Sequence, residues 1–130
     1  MANYESVLQA DKIVESALKS FGRCDIVINN AGILRDKSMA KMTKEDWRAV
    51  LDVHLEGTFN LCHAVWPIMQ GQKYGRIINV GSGAGLYGNF GQANYSSAKM
   101  AVLGLTNTLA VEGVSNQVSY SKALHCAAIP

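Results

Sequence analysis

Cysteine and proline are scarce in this chain of 130 residues, which contains three cysteines and two prolines. The cysteines are widely spaced and form no Cys-x-x-Cys pair, so neither a disulfide framework nor a zinc site is indicated. We interpret Cys24, Cys62 and Cys126 as buried, reduced thiols. No run of eighteen apolar residues occurs, which argues against a transmembrane helix, and the first residues lack the apolar core of a signal peptide.

An excess of charge of one sign is also lacking. The net charge is +2, which is too small to favour nucleic acid or an anionic membrane. We therefore expect no nucleic-acid partner, no membrane association and no metal ion. The hydrophobic fraction of 48% is ample for a globular core, and 130 residues allow one domain at most.

Two short apolar runs predict buried strands. Residues 25–29 are closed by Asn30-Ala31-Gly32, and residues 76–80 are followed directly by Gly81-Ser82-Gly83. Helical patterns separate the two runs, which is typical of a parallel sheet, and ligands bind such sheets at the carboxyl ends of the strands. We therefore predict an α/β fold, an incomplete Rossmann-like, doubly wound parallel sheet with helices on both faces in three layers.

Four segments have the apolar spacing of helices. Residues 12–21 are followed by Gly22, and residues 94–111 are followed by Gly113. Thr43 predicts the start of another helix, with Asp46 in the place of the usual glutamate of a capping box. In the fourth segment, residues 55–69, Pro67 predicts a kink or an early end. Five glycines between residues 81 and 91 predict a loop.

The most informative pattern is a serine, a tyrosine and a lysine. Tyr95 and Lys99 are one helical turn apart, and Ser82 precedes the tyrosine by thirteen residues. A free tyrosine titrates near pH ~10 and is a poor base at neutral pH, but a lysine on the same helix face favours the phenolate. A serine hydroxyl can hydrogen-bond the substrate oxygen as its proton moves. The plain alternatives are a solvated surface pair and a turn serine.

Together with Asn29-Asn30-Ala31-Gly32, this pattern resembles the short-chain dehydrogenase/reductase family. Three longer runs narrow the resemblance to the (3R)-hydroxyacyl-CoA dehydrogenase branch, found as a domain of peroxisomal multifunctional enzyme type 2 (17β-hydroxysteroid dehydrogenase type 4). They are residues 30–36 (Asn-Ala-Gly-Ile-Leu-Arg-Asp), 73–78 (Lys-Tyr-Gly-Arg-Ile-Ile) and 87–96 (Tyr-Gly-Asn-Phe-Gly-Gln-Ala-Asn-Tyr-Ser). The resemblance extends from about residue 3 to residue 113.

The resemblance implies a catalytic role for each residue of the pattern. Tyr95 is the acid/base that takes the proton of the 3-hydroxyl. Lys99 favours the ionised tyrosine and holds the nicotinamide ribose hydroxyls, so both residues also contact the cofactor. Ser82 fixes the substrate oxygen. His54 stands where most members have asparagine, in His54-Leu55-Glu56-Gly57. The resemblance gives it a place in a proton relay, and a purely structural histidine is the alternative.

The cofactor implied by the resemblance is NAD. Asn30, Ala31 and Gly32 form a turn that lines it, although the same turn is open to interpretation as an ordinary strand end stabilised by the asparagine. Ser6 and Val7 occupy the family position at the end of the third strand, where they flank the adenine. The residue that chooses NAD over NADP follows a strand that this chain does not contain.

Two parts of the family pattern are not found. No Gly-x-Gly-x-x-Gly or Gly-x-x-x-Gly-x-Gly lies between a strand and a helix, and the first two strands are missing. After Gly113 the match fades: Leu124-His125-Cys126 and Pro130 resemble a later strand, but Ala127 stands where that strand has asparagine. We therefore expect residues 1–130 to be a partial dehydrogenase domain without the N-terminal glycine-rich βαβ unit and the C-terminal substrate loop.

Two functions are open on these grounds. The first is an oxidoreductase of peroxisomal fatty-acid β-oxidation, which transfers hydride between a (3R)-3-hydroxyacyl-CoA and NAD and is a homodimer in intact members. The second is a non-catalytic remnant that retains only the dimerisation surface of the helix after His54 and the Tyr95 helix. We expect the isolated chain to be inactive. A peroxisomal location is implied by resemblance alone, because the sequence does not end in Ser-Lys-Leu or a similar address.

Overall fold

The structure is a computed structural model that describes residues 4–116 and 118–125. The helices and strands follow one another in this order: α1 (Tyr4–Phe21), β1 (Ile26–Asn29), a 3-10 turn (Met39–Lys41), α2 (Lys44–Leu51), a π-helical turn (Asp52–Glu56), α3 (Gly57–Gln72), β2 (Gly75–Ser82), α4 (Gly83–Tyr87), α5 (Ala93–Gly113), a second 3-10 turn (Val114–Asn116) and β3 (Val118–His125). In the described part of the chain, no helix is both long enough and apolar enough to cross a membrane.

The three strands form a parallel sheet in the order β1-β2-β3. Ile28 of β1 is paired with Ile78 of β2, and Ser82 at the end of β2 is paired with His125 of β3. Parallel neighbours need a crossover connection, and α2–α3 and α5 provide the two crossovers. The predicted parallel, Rossmann-like sheet is therefore confirmed.

The described helices lie on one face of this sheet. Each new strand is added in the same direction, so right-handed crossovers place α3 and α5 on the same side, and α1 packs against α3. The core between helices and sheet is formed by the following buried residues: Val14, Cys24, Val27, Cys62, Val65, Met69, Ile77 and Val118. On the other face, Ile26 and Ile28 are each 59% exposed. In the described part of the chain, the core therefore lies between the helices and the face of the sheet that carries Val27 and Ile77.

Two of the buried residues are cysteines, as predicted. Cys24 and Cys62 are free thiols, and burial raises the pKa of Cys62 to about 11. A thiol with so high a pKa stays protonated at neutral pH and behaves as a small apolar side chain. Cys126 lies outside the described residues.

Local hydrogen bonds explain where the elements differ from prediction. Thr43 caps α2 as expected, accepting a hydrogen bond from the Asp46 N–H at 3.0 Å. Residues 83–87 form α4 instead of a loop. Ser82 Oγ accepts a hydrogen bond from the Ala84 N–H at 3.2 Å and thereby caps the N-terminus of this helix. Of the two alternatives predicted at Pro67, a kink or an early end, the early end is wrong, because α3 continues to Gln72. Proline removes one N–H, and core burial of Val65 and Met69 keeps the helix continuous around it.

The position predicted for Ser6 and Val7 is also corrected. Both residues lie within α1 and not at the end of a strand. A strand needs a neighbour to satisfy its backbone hydrogen bonds, whereas a helix satisfies them locally. Among the described residues no strand is paired with residues 4–8, and α1 satisfies their backbone groups within the helix.

The two faces of the sheet should respond differently to the same truncation. Ile77→Ala removes a side chain with 0% exposure from the core, and we expect it to lower the free energy of unfolding by about 2–5 kcal/mol. Ile28→Ala removes the same atoms from the 59% exposed face and should cost less than about 1 kcal/mol. Urea unfolding followed by circular dichroism measures both. Equal losses would contradict the one-sided core.

Candidate active site

The serine, tyrosine and lysine are carried by two elements that meet at the carboxyl end of β2. Ser82 is the last residue of β2, and Tyr95 and Lys99 lie in the first two turns of α5, which packs on β2 and β3. Ser82 and Lys99 line the same small cavity, of about 10 Å³. Ser82 Oγ accepts the Ala84 N–H, which leaves its own hydrogen available for donation.

Lys99 is a buried cation that points at the strand. Its Nζ donates to the Val80 carbonyl oxygen at 2.6 Å and lies 5.7 Å from the centroid of the Tyr95 ring. Burial lowers the pKa of Lys99, because the ammonium loses part of its hydration. An ammonium has three N–H donors, so two remain for other acceptors. The predicted proximity of Lys99 to Tyr95 is therefore present in the structure.

His54 joins the tyrosine to the segment that follows β1. Its ring meets the Tyr95 ring edge-to-face, with centroids 5.0 Å apart. Its Nε2 lies 3.1 Å from the Ile33 nitrogen and 2.9 Å from the Ile33 oxygen, so it serves one or the other according to its tautomer. Nδ1 is buried and has no hydrogen-bond partner among the described residues. These contacts support a structural role for His54 and leave the relay a prediction.

The turn after β1 lies beside a larger cavity of about 550 Å³. Asn30 and Ala31 line it, together with residues of α1 and of the α2–α3 helix. Gly32 faces the other way, towards the histidine: a Cβ on Gly32 would lie 2.5 Å from His54 Cε1. The turn therefore lies between the cavity and His54, which packs on Tyr95. No group of three or more His, Cys, Asp or Glu in the described part of the chain is placed to hold a metal.

The motif reasoning gave no role to Asn94. This residue is fully buried directly before Tyr95, and its Oδ1 accepts a hydrogen bond from the Tyr95 N–H at 2.8 Å. The only sequence signal is the amide side chain at the start of a predicted helix, where asparagine is common.

The burial of His54 predicts a pH dependence of stability. Desolvation, and to a lesser extent the charge of Lys99, lowers its pKa from 6.5, although the bond to Ile33 opposes the shift. The unfolded chain therefore binds a proton that the folded chain does not. The contribution of His54 is complete above pH 6.5 and is lost as the pH falls through its lowered folded pKa. Urea unfolding at a series of pH values below 7 measures this, and His54→Asn should flatten the profile.

Comparison with known proteins identifies several similar chains. A sequence profile of the family described as short chain dehydrogenase matches residues 2–124. The peroxisomal hydratase-dehydrogenase-epimerase of Saccharomyces cerevisiae is 58% identical over 120 residues, covering 92% of this chain and 13% of that protein. The peroxisomal multifunctional enzyme type 2 of Drosophila melanogaster is 53% identical over 118 residues, covering 91% of this chain and 20% of that protein.

The fold is also similar to a solved structure. The full-length peroxisomal multifunctional enzyme type 2 from Drosophila melanogaster superposes with a TM-score of 0.82 at 44% sequence identity. The match covers all of this chain and 23% of the longer one. The chain thus spans a fifth or less of the length of the two curated relatives it matches.

Proposed function

Because the chain belongs to the short-chain dehydrogenase family, we propose that it supplies the catalytic residues of an NAD-dependent oxidoreductase acting on (3R)-3-hydroxyacyl-CoA. The observation that carries the proposal is the arrangement of Tyr95 beside buried Lys99, with Ser82 on the same small cavity as the lysine. The names of both relatives contain the word peroxisomal, and that of the yeast protein also contains dehydrogenase. We extend the peroxisomal compartment, and a role in fatty-acid β-oxidation, to this chain as part of the proposal.

The residues present fit part of an NAD molecule. Lys99 keeps two donors free, which suits the ribose hydroxyls of the nicotinamide half, next to Tyr95. Asn30 and Ala31 line the cavity of about 550 Å³, which suits the adenine half, and Gly32 completes their turn. When bound, the nicotinamide supplies the acceptor for hydride. The chain has no glycine-rich turn for the pyrophosphate, so we propose that residues 1–130 are a partial domain.

The chain's own residues handle the proton and the substrate oxygen. In the oxidation direction, the phenolate oxygen of Tyr95 takes the proton of the 3-hydroxyl, the C3 hydrogen leaves as hydride, and a 3-keto group forms. The Ser82 hydroxyl donates to the reacting oxygen, which Ala84 leaves it free to do. The charge of Lys99 stabilises the phenolate because little water screens it in this buried position.

A non-catalytic partner in a dimer is the second candidate. The two helices that the resemblance assigns to dimerisation carry exposed apolar side chains, Phe59 on α3 and Met100 on α5, each 46% exposed. A homodimer through α3 and α5 is compatible with either function. The two candidates differ in whether turnover occurs once the missing cofactor half is supplied.

A chimera separates the two candidates. This chain replaces the matching 118-residue segment of the Drosophila enzyme, and NADH formation from a (3R)-3-hydroxyacyl-CoA is measured beside the isolated chain. We expect the chimera to turn over the (3R) substrate, and its dehydrogenase domain that contains this chain not to turn over the (3S) substrate. We expect no turnover by the isolated chain. A folded chimera that binds NAD without turnover would support the remnant. Tight NAD binding by the isolated chain would contradict the partial domain.

A further inference from the structure

One buried side chain ties two separate segments to the start of α5. Asn94 is 0% exposed, and its Nδ2 donates to the carbonyl oxygens of Arg35 at 3.0 Å and of Asp46 at 3.2 Å. Its Oδ1 accepts from the Tyr95 N–H at 2.8 Å. An amide has two N–H donors and a carbonyl acceptor, and all of them are engaged here. Asn94 thereby connects the segment after β1, helix α2 and helix α5.

The bond to Tyr95 fills a need that the helix itself does not meet. The first N–H groups of a helix have no carbonyl partner within the helix. Gln92 is the N-cap residue of α5, and its side chain makes no capping bond. The Asn94 side chain therefore supplies the acceptor for the backbone of Tyr95, and it is itself immobilised by two other segments.

These bonds close a ring of contacts around the tyrosine. On the side-chain side, the Tyr95 ring meets His54, which is bonded to Ile33. On the backbone side, Tyr95 is bonded to Asn94, which is bonded to Arg35, two residues beyond Ile33. The ring of Tyr95, through His54, and its backbone, through Asn94, are thus both held by the same short segment, residues 33–35. That segment directly follows the Asn30–Gly32 turn beside the larger cavity.

We propose that Asn94 is a positioning residue that fixes the Tyr95 hydroxyl relative to the turn after β1. It touches no reacting atom and acts through the backbone of Tyr95 and through Arg35. We call the hydrogen bonds of Asn94 to Arg35, Asp46 and Tyr95 the clamp. The effect of the clamp on catalysis rests on the proposed function, whereas the hydrogen bonds themselves do not. A misplacement of about 1 Å in a catalytic group can cost on the order of 100-fold in rate, so a small movement of α5 is sufficient to matter.

A matched control is available in the same pair of loops. Gln92 Nε2 donates to Asp36 Oδ2 at 2.9 Å, and the Lys37 N–H donates to the Gly91 oxygen at 2.9 Å. These bonds join the segment after β1 to the loop before α5 without contacting Tyr95. Asp36→Ala therefore loosens the same junction and leaves the clamp on Tyr95 intact.

The first test is amide hydrogen exchange of the full 130-residue chain. We expect the Tyr95 amide to be protected in the wild type, although it lies in the first turn of a helix. Asn94→Ala should remove that protection selectively, and Asp36→Ala should retain it. An unprotected Tyr95 amide in the wild type overturns the proposal. Protection of the Tyr95 amide that survives Asn94→Ala also overturns it. The same holds if Asn94→Ala lowers the protection of all amides equally.

The second test is kinetic and uses the chimera with the Drosophila enzyme. Asn94→Ala should lower kcat by about 10- to 100-fold with the KM for both substrates little changed, because the hydroxyl is misplaced while the binding surfaces remain. Asp36→Ala should leave kcat within about twofold. An unchanged kcat, or a loss confined to KM, contradicts the positioning role. A wild-type chimera without turnover contradicts the proposed function instead. Hydrogen exchange at the Tyr95 amide then remains the test of whether Asn94 holds the backbone of Tyr95.

Discussion

Replacement of Tyr95 by phenylalanine should reduce turnover by the chimera about 10²- to 10⁴-fold. Phenylalanine keeps the ring that packs edge-to-face on His54, so the fold and the site should remain in place. It removes only the hydroxyl, which is the group proposed to accept the substrate proton. The measurement is the initial rate of NADH formation, with the melting temperature recorded for the same preparation.

Tyr87→Phe is the matched control for this experiment. Tyr87 is the last residue of α4, the short helix that follows Ser82, and is 85% exposed. The loss of its hydroxyl should therefore leave both the rate and the melting temperature unchanged. Turnover that survives Tyr95→Phe within about threefold would remove the tyrosine from the mechanism. A comparable loss in Tyr87→Phe would show that a tyrosine hydroxyl near the substrate matters for binding instead.

Gly32→Ala should damage both stability and turnover. The new Cβ would lie 2.5 Å from Cε1 of His54, a distance that requires the imidazole to move. The imidazole is 4% exposed, lies within bonding distance of Ile33 and packs against the Tyr95 ring, so its movement disturbs Tyr95, the proposed acid/base. We expect a loss of about 1–3 kcal/mol in the free energy of unfolding. We also expect a fall in kcat of about 10-fold or more.

Gly71→Ala is the corresponding control. It adds the same methyl group within α3, where no heavy atom beyond the neighbouring residues and the helix's own backbone lies within 4 Å of the new Cβ, and should be neutral or slightly stabilising. Thermal unfolding and the NADH assay on the two variants test the prediction. Wild-type stability and rate in Gly32→Ala would mean that His54 has room to move. In that case it does not fix the tyrosine.

The sheet and the proximity of Tyr95 to Lys99 could be predicted from sequence because their signals are local. An apolar run closed by small polar residues indicates a buried strand, and Ile77 and Val27 are indeed buried on the covered face. Tyr95 and Lys99 are one turn apart on a helix, so their proximity follows from helix geometry alone. The pairing of β1 with β2 confirmed the parallel arrangement that the intervening helices predicted.

The remaining features depend on contacts between residues distant in sequence. Asn94 bonds to Arg35 and Asp46 across 59 and 48 positions, and no local pattern encodes such partners. Residues 83–87 were predicted as a loop from their glycines, but a single bond to Ser82 Oγ is enough to start a short helix. The strand end assigned to Ser6 and Val7 followed from the resemblance alone, and the structure places both residues in α1.

The π-helical turn at Asp52–Glu56 is a place where the fold accommodates a change in chain length. The Gly57 N–H is bonded to the Asp52 oxygen, so this turn holds one residue more than an α-helical turn. One residue corresponds to a rotation of about 100° around a helix axis. A single-residue deletion here would convert the turn to an ordinary α-helical turn and keep the core side chains of α3, such as Val65 and Met69, in phase with Val50 of α2, whereas the same deletion elsewhere in α3 would turn the side chains on its two sides out of phase. Among related chains, the loss of one residue should therefore be tolerated at Asp52–Glu56 and not within α2 or α3.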